Sequence, residues 1–269
     1  MKKLTVAILI LMLAFLPSCS GKSEKDNEEK KAEDAKKFIE KMYDDIDLGK
    51  IRFGDVYKNY FSDQSKQIIT EKDYISEKNP EFKEIMDKEK TVSSIETKVE
   101  KEYENGISKL STKLIYSLNG TQTEKDCIDY VIIQNGKCKY LYNGILSRKI
   151  YNMTEENPNN KVHAENAVVY KGVDGITIEM NFQNDTLSVF SFGYQDGATL
   201  LIKTAEGDFS NVLDAPQKLE ADGSLKLLSK FDGVFGNPVR IEIKNIYTLD
   251  VKGQPIESGE GFNYAVLLQ

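Results

Sequence analysis

The chain has 269 residues, with 36 Lys and Arg against 43 Asp and Glu and a single histidine. An acidic balance without a basic stripe is a poor match to a phosphate backbone, so no nucleic-acid partner is expected. One histidine excludes multi-histidine metal sites and makes any Ser-His-Asp or Cys-His arrangement depend on His163 alone.

Lys2 and Lys3 precede an uncharged apolar run from Leu4 to Leu16. At about 13 residues the run suits a signal-peptide core and is too short to cross ~30 Å of hydrocarbon as a helix. It ends in Leu16-Pro17-Ser18-Cys19, which resembles the bacterial lipobox: an aliphatic residue, a variable one, a small one, then the cysteine that is diacylated. The resemblance implies a lipoprotein signal peptide over residues 1–18 and lipidation of Cys19. It also implies a protein held on the extracytoplasmic face of the cell membrane. The competing reading is an ordinary signal peptide cut nearby, with Cys19 incidental. Without Lys2 and Lys3 the chain carries 34 basic against 43 acidic residues, a net charge of −9. Anionic headgroups repel such a surface, so attachment falls to the acyl chains, at ~0.8 kcal/mol for each buried methylene. The remainder of residues 19–34 reads SGKSEKDNEEKKAE as far as Glu33. It is polar, charged and free of aromatics, which predicts a flexible tether.

Residues 35–152 read as helices followed by strands. Ala35, Phe38, Ile39, Met42 and Ile46 keep helical spacing, with Gly49 as a stop. Phe53, Val56, Tyr57, Tyr60 and Phe61 repeat the stripe. A third helix is predicted from Thr70, with Asp73 three residues on as a loose capping box; Pro80 interrupts it, and Phe82, Ile85 and Met86 resume the apolar face. Strands follow. Ile95, Thr97, Val99 and Tyr103 alternate with charged residues, as do Leu110, Thr112, Leu114, Tyr116 and Leu118 with polar ones. Asn105-Gly106, Asn119-Gly120 and Asn135-Gly136 are two-residue hairpin signals. Read that way, Ile95 opposes Tyr116, Thr112 opposes Cys127 and Ile133 opposes Cys138, and the apolar sets share one face. Helices packed on a four-stranded antiparallel meander make an α+β domain. In element order residues 35–152 resemble the nuclear transport factor two-like, or cystatin-like, cone fold. That family holds isomerases and dehydratases with an acid or a histidine in the cone, and many non-enzymatic binding modules, so the resemblance leaves function open.

The same register puts Asp129 on the face of Val131, Ile133, Tyr140 and Tyr142, opposite Leu110. A carboxylate facing the helices is desolvated and its pKa rises, which makes it a site candidate. Asp129, Tyr116, Tyr140 and Tyr142 are the candidate pocket residues. The alternative is an acid at the rim, satisfied by a tyrosine hydroxyl. The concavity expected between the first helix and these strands is shallow, mostly apolar and without a second ionisable group. The register also separates Cys127 from Cys138 by ~20 Å along the strands, beyond the ~7 Å a disulfide tolerates, so two free thiols are expected.

Met153-Thr-Glu-Glu-Asn-Pro-Asn-Asn160 has no periodicity, and residues 153–161 read as a linker. Residues 162–269 are all-β. Ile176, Ile178, Met180 and Phe182 alternate with polar residues, as do Val239, Ile241 and Ile243, and Asp-Gly pairs at 174, 196, 222 and 232 mark turns. About seven short strands suit a sandwich, and the pattern resembles the immunoglobulin-like domains of unknown function that end many Gram-positive lipoproteins. His163 enters the first of these strands and reads as a surface residue. Asp250 to Glu260 reads as a hairpin loop rather than a calcium site. No Walker loop, dinucleotide fingerprint, CxxC or EF-hand loop is present, so neither cofactor nor metal is expected. The leading expectation is a non-enzymatic binding or interaction module, with an envelope protein, a peptide or a wall polymer as partner. The alternatives are a small-ligand-binding or enzymatic cone using Asp129, and a spacer with no ligand. The anchor is testable at once: Cys19→Ala should release the protein from membranes or block its maturation, as cell fractionation would show, and unchanged fractionation would remove the lipoprotein reading.

Overall fold

A computed structural model describes residues 24–82, 91–118, 121–156, 162–256 and 261–269. The signal segment and Cys19 therefore lie outside the described residues, as do Ile85 and Met86. Helix α1 (Glu24–Asp47) buries Ala35, Ile39, Met42, Tyr43 and Ile46. Each such large side chain contributes roughly 1.5–3 kcal/mol on full burial. The helix begins well before Ala35, so residues 24–34 of the expected tether are helical. Burial docks the second half of α1, and the turns before it, exposed over Glu28–Lys31, need only propagation from it. Glu33–Lys37 (3.2 Å) and Lys36–Glu40 (3.8 Å) assist as i,i+4 pairs.

Three shorter helices follow: α2 (Phe53–Asn59), α3 (Asp63–Ile68) and α4 (Glu71–Glu81). Thr70 caps α4 as its sequence suggests, its Oγ1 accepting from the Asp73 N–H at 3.2 Å. Pro80 sits in the last turn of α4 and Phe82 closes it. Helix α3 has no counterpart in the apolar periodicity. It is one short turn made by its cap, with Ser62 Oγ accepting from the Ser65 N–H at 3.1 Å.

Strands β1 (Thr91–Tyr103), β2 (Ile107–Leu118), β3 (Thr121–Gln134) and β4 (Lys137–Tyr140) form an antiparallel meander in chain order. Thr112 opposes Cys127 and Ile133 opposes Cys138, and both cysteines are free thiols. Asn135 (φ 52°) and Gly136 (φ 73°) make the expected two-residue turn. The first hairpin departs from expectation: Ile95 opposes Leu114, and Tyr116 pairs with Val92. Its turn has three residues, Tyr103 pairing with Ile107 around Glu104-Asn105-Gly106, with Gly106 at φ 70°. A bulge between Val99 and Lys101 then displaces the register once more. Two single displacements sum to an even shift, so Thr97 and its neighbours keep the helix-facing side. Between them lies a short segment of opposite parity, which sends Tyr103 to the other face of the sheet.

That outer face meets the second half of the chain, which is mostly strand. One sheet orders β13 (Ser224–Asp232), β8 (Gly175–Gln183), β7 (His163–Gly172) and β5 (Ile145–Tyr151). The other runs β11 (Gly207–Val212), β10 (Thr199–Thr204), β14 (Arg240–Leu249), β15 (Phe262–Leu268) and β6 (Met153–Glu155). In it β9 (Val189–Phe192) pairs with both β14 and β12 (Gln217–Leu219). The two sheets share one core: Ile176, Ile178, Met180 and Phe182 meet Ile241, Ile243, Tyr264 and Val266. Residues 145–152, expected to close the first module, instead contribute β5, which pairs with β7. Met153–Glu155, read as linker, pairs with β15 as β6. The chain leaves the meander early because β4 stops at Tyr140 and a 3₁₀ turn, Tyr142–Gly144, follows. Gly144 stands at φ 68°, and a Cβ there would lie 2.9 Å from the Tyr130 ring.

The turn between β7 and β8 joins the two halves. Val173 packs with Ile107, Tyr130 and Leu141 in a small apolar cluster. Asp174 accepts hydrogen bonds from the Tyr103 hydroxyl, from the Tyr130 hydroxyl (2.9 Å) and from Lys109 Nζ (3.0 Å). Partial burial alone would raise the Asp174 pKa, but those donors outweigh it and hold the carboxyl at about 2. A folded-state pKa below the ordinary 3.8 stabilises the fold above about pH 4, and that contribution is lost as pH falls toward 2. Asp174→Asn should lower stability at pH 7 by about 2 kcal/mol and flatten the acid limb below pH 4, read by urea unfolding as a function of pH.

Candidate functional site

The pleat of β3 turns Cys127, Asp129 and Val131 toward the helices. Above them α4 presents Tyr74, Lys78 and Phe82, which share one helix face by their i, i+4, i+8 spacing. Tyr43 descends from α1 and Phe53 from α2. Together these elements enclose a cavity of about 210 Å³ at the place where β4 gives out. Asp126, Tyr140 and Asn143 complete its lining. Phe53 packs edge-on against Tyr74 (5.9 Å between centroids) and at a tilt against Phe82 (5.2 Å), so the walls are a connected aromatic set.

Asp129 is the chemical centre. Its side chain is buried, at 1% exposure, and faces Leu110 across the ladder as the alternation predicts. The Tyr43 hydroxyl donates to both carboxylate oxygens at 3.2 and 3.3 Å, and Thr112 Oγ1 donates at 3.0 Å. Burial raises the Asp129 pKa to about 6; the bonds from Thr112, Tyr43 and Tyr140, and the more distant charge of Lys78, only moderate that rise. Among the described residues no cation forms an ion pair with Asp129. Lys78 instead lies 3.4 Å from the Glu77 carboxylate, and 5.8 Å above the Phe82 ring. Burial and the Asp129 charge in turn push the Tyr43 and Tyr140 hydroxyls well above their ordinary range.

Of the three tyrosines that alternation nominates, Tyr140 lines the cavity, while Tyr116 and Tyr142 do not. Tyr116 is buried in the core between helices and sheet. Tyr142 leaves the strand at the 3₁₀ turn, and its hydroxyl donates to Glu77. The expected concavity without a second ionisable group is corrected as well, since Lys78 and Asp126 share the lining with Asp129. Tyr74, Lys78 and Phe82 carried a legible signal in their helical spacing, and so did Tyr43, which stands at i+4 from Ile39 and i+8 from Ala35. The remaining candidates stay ordinary. His163 is exposed, with Nδ1 3.8 Å from Asp185. Asp250 Oδ1 accepts from the Lys252 and Gln254 N–H groups as a turn residue. No cluster of metal-ligating side chains occurs among the described residues.

No protein-family model matches the sequence, and no curated protein matches it either. Function is therefore argued from the cavity.

With a folded-state pKa near 6 against an ordinary 3.8, the folded protein holds the Asp129 proton more tightly than the unfolded chain does. The penalty is absent below about pH 4, grows as the unfolded carboxyl ionises first, and is complete above about pH 6, at about 3 kcal/mol. Asp129→Asn is isosteric and neutral. It should raise stability at pH 7.5 by about 1–3 kcal/mol and abolish the slope between pH 4 and 6 in urea titrations. A loss of stability instead would show that Tyr43 and Thr112 require the ionised partner.

Proposed function

We propose that the protein is a lipid-anchored extracytoplasmic binding protein that takes a small molecule in the Asp129 cavity. The helix-and-meander half acts as a cone of the nuclear transport factor two-like kind. The second half is an immunoglobulin-like sandwich, held to the cone by Asp174 and available to an envelope protein, a peptide or a wall polymer. Cys19 is the anchor, and the acidic surface leaves the membrane contact to its acyl chains. The observation that carries the ligand reading is the about 210 Å³ cavity with a buried carboxylate at its base. It exceeds the ~150 Å³ apolar cavity that admits benzene and lies below the ~300 Å³ of pockets that hold drug-sized ligands. One ring or a short branched chain is the size it suits.

A second reading, catalysis, is favoured by one feature. A carboxylate whose pKa stands near 6 is poised for proton transfer at neutral pH, and a bound fragment that turns over would select it. For binding itself, a thermal-shift screen of one-ring fragments should yield ligands whose NMR shift changes centre on Tyr43, Tyr74 and Phe82. Ligands that map elsewhere, or none at millimolar concentration, would overturn the pocket reading.

A further inference from the structure

We infer that the cavity selects a small organic cation, an ammonium group on a compact apolar body, with its charge directed at Asp129. The inference rests on the small-molecule reading of the cavity and names the class of molecule.

Charge supplies the first argument. Of the two acidic residues in the lining, Asp129 is the one that the pleat of β3 turns toward the helices, and Lys78 is the lining's one ammonium. The Lys78 charge is already beside Glu77, at 3.4 Å. Its effect on Asp129 is smaller than those of burial and of the Thr112, Tyr43 and Tyr140 bonds. An anionic ligand would face the Asp129 carboxylate with a single cation, shared with Glu77, for support, whereas an ammonium would meet that carboxylate as its counter-ion.

Hydrogen-bond capacity supplies the second. A carboxylate offers about four acceptor sites. Tyr43 reaches both oxygens, Thr112 reaches Oδ2, and Tyr140 also donates. All three donors are hydroxyls, and none carries a charge. A cationic donor that took the place of one of these hydroxyls would add the counter-ion that the buried carboxylate does not find among the described residues. Hydrogen bonds of this charge-assisted kind are about twice as strong as neutral ones.

The walls supply the third. Tyr43, Phe53, Tyr74 and Phe82 are among the residues that line the cavity, and the face of an aromatic ring attracts a cation electrostatically. Phe82 already does so with a lysine of the protein itself, Lys125 Nζ lying 4.7 Å from its centroid. The rings that would hold the apolar body of the ligand would also stabilise its charge.

Three probes of one size separate the charge classes: benzylammonium, benzyl alcohol and benzoate, titrated calorimetrically into the whole protein. Benzylammonium should bind at least about tenfold more tightly than either of the others. The pH dependence follows from Asp129, with Tyr43, Tyr74 and Lys78 facing it from the helices and Asp126, Cys127 and Tyr140 from the strands. Affinity for the cation should fall about tenfold from pH 7 to pH 5 as Asp129 takes up its proton, while any weak binding of the alcohol stays level. Asp129→Asn should remove the cation preference and the pH dependence together. Because the pH series uses the native protein, it decides the matter even if that variant folds poorly. Equal binding of alcohol and ammonium, or a preference for benzoate, would overturn the cation and leave the pocket standing. No binding by any of the three would take the pocket reading down with it.

Discussion

A pleated strand gives every residue one of two faces, and the rest of this molecule depends on how that parity is kept or broken in the meander. Across β2 and β3 it is kept without interruption, from Ile107 opposite Ile132 to Leu118 opposite Thr121. This regularity commits Asp129 to the helix-facing side: no single-residue slip exists that would turn it to solvent. One bulge of β1 lies between Val92 and Ser94, and at the strand's hairpin end parity is broken twice, by the three-residue turn and by the bulge after Val99. Between those points Tyr103 faces outward, and with Tyr130 and Lys109 it forms the three-donor seat that Asp174 occupies. One sheet thereby has two working faces. Its inner face carries the cavity and its outer face the joint to the sandwich.

The joint and the cavity are coupled through the end of β4. Leu141 donates its N–H to the Tyr130 carbonyl at 2.8 Å, the last rung before the chain turns away. Beyond that rung Tyr142 and Asn143 leave the ladder, Gly144 passes over the Tyr130 ring, and the chain enters β5. A longer β4 would continue alongside β3 and narrow the space between β3 and α4. It would also have to give up the 3₁₀ turn that delivers β5 to the second sheet. The early end of β4 therefore opens the cavity beside Asn143 and starts the second half of the molecule in the same few residues.

Much of this was legible from alternation alone. Two of the three hairpin registers follow from Asn-Gly pairs, and the inward position of Asp129 follows from those registers. The free thiols follow as well, since Cys127 and Cys138 are fixed by the same two turns. What escaped has identifiable causes. A β-bulge leaves no mark in composition, so the outward turn of Tyr103 was invisible. Tyr142 continues the alternation of Tyr140 in sequence, and only the left-handed backbone at Asn143 (φ 49°) and Gly144 takes it out of the strand. The first half of α1 is polar throughout, and polarity marks a solvated helix and a tether alike; its i,i+4 charge pairs were the one distinguishing feature. The start of β5 lacks any breaker before it other than Asn143-Gly144, whose Asn-Gly signature resembles the hairpin turns upstream while serving as a crossing between halves.

The two acids of the outer and inner faces, Asp174 and Asp129, differ in what surrounds them. Both accept from tyrosine hydroxyls, and both sit between packed elements. Asp174 also has Lys109 at 3.0 Å and keeps some access to water, and its pKa falls to about 2. Asp129 has Thr112 in place of the lysine and no water-exposed surface to speak of, and its pKa rises to about 6. The difference lies in the counter-ion. Asp174 is complete within the chain and contributes to stability at neutral pH. Asp129 is incomplete, and its ionised form opposes folding at neutral pH by an amount that an asparagine or leucine would avoid. The donors around Asp129 are neutral hydroxyls of Tyr43, Thr112 and Tyr140, and among the described residues no ion pair requires a charge at that position. A charge that burdens the fold and meets no counter-ion among the described residues would be accounted for by the ligand we propose, and the cavity above Asp129 is the route by which it would arrive.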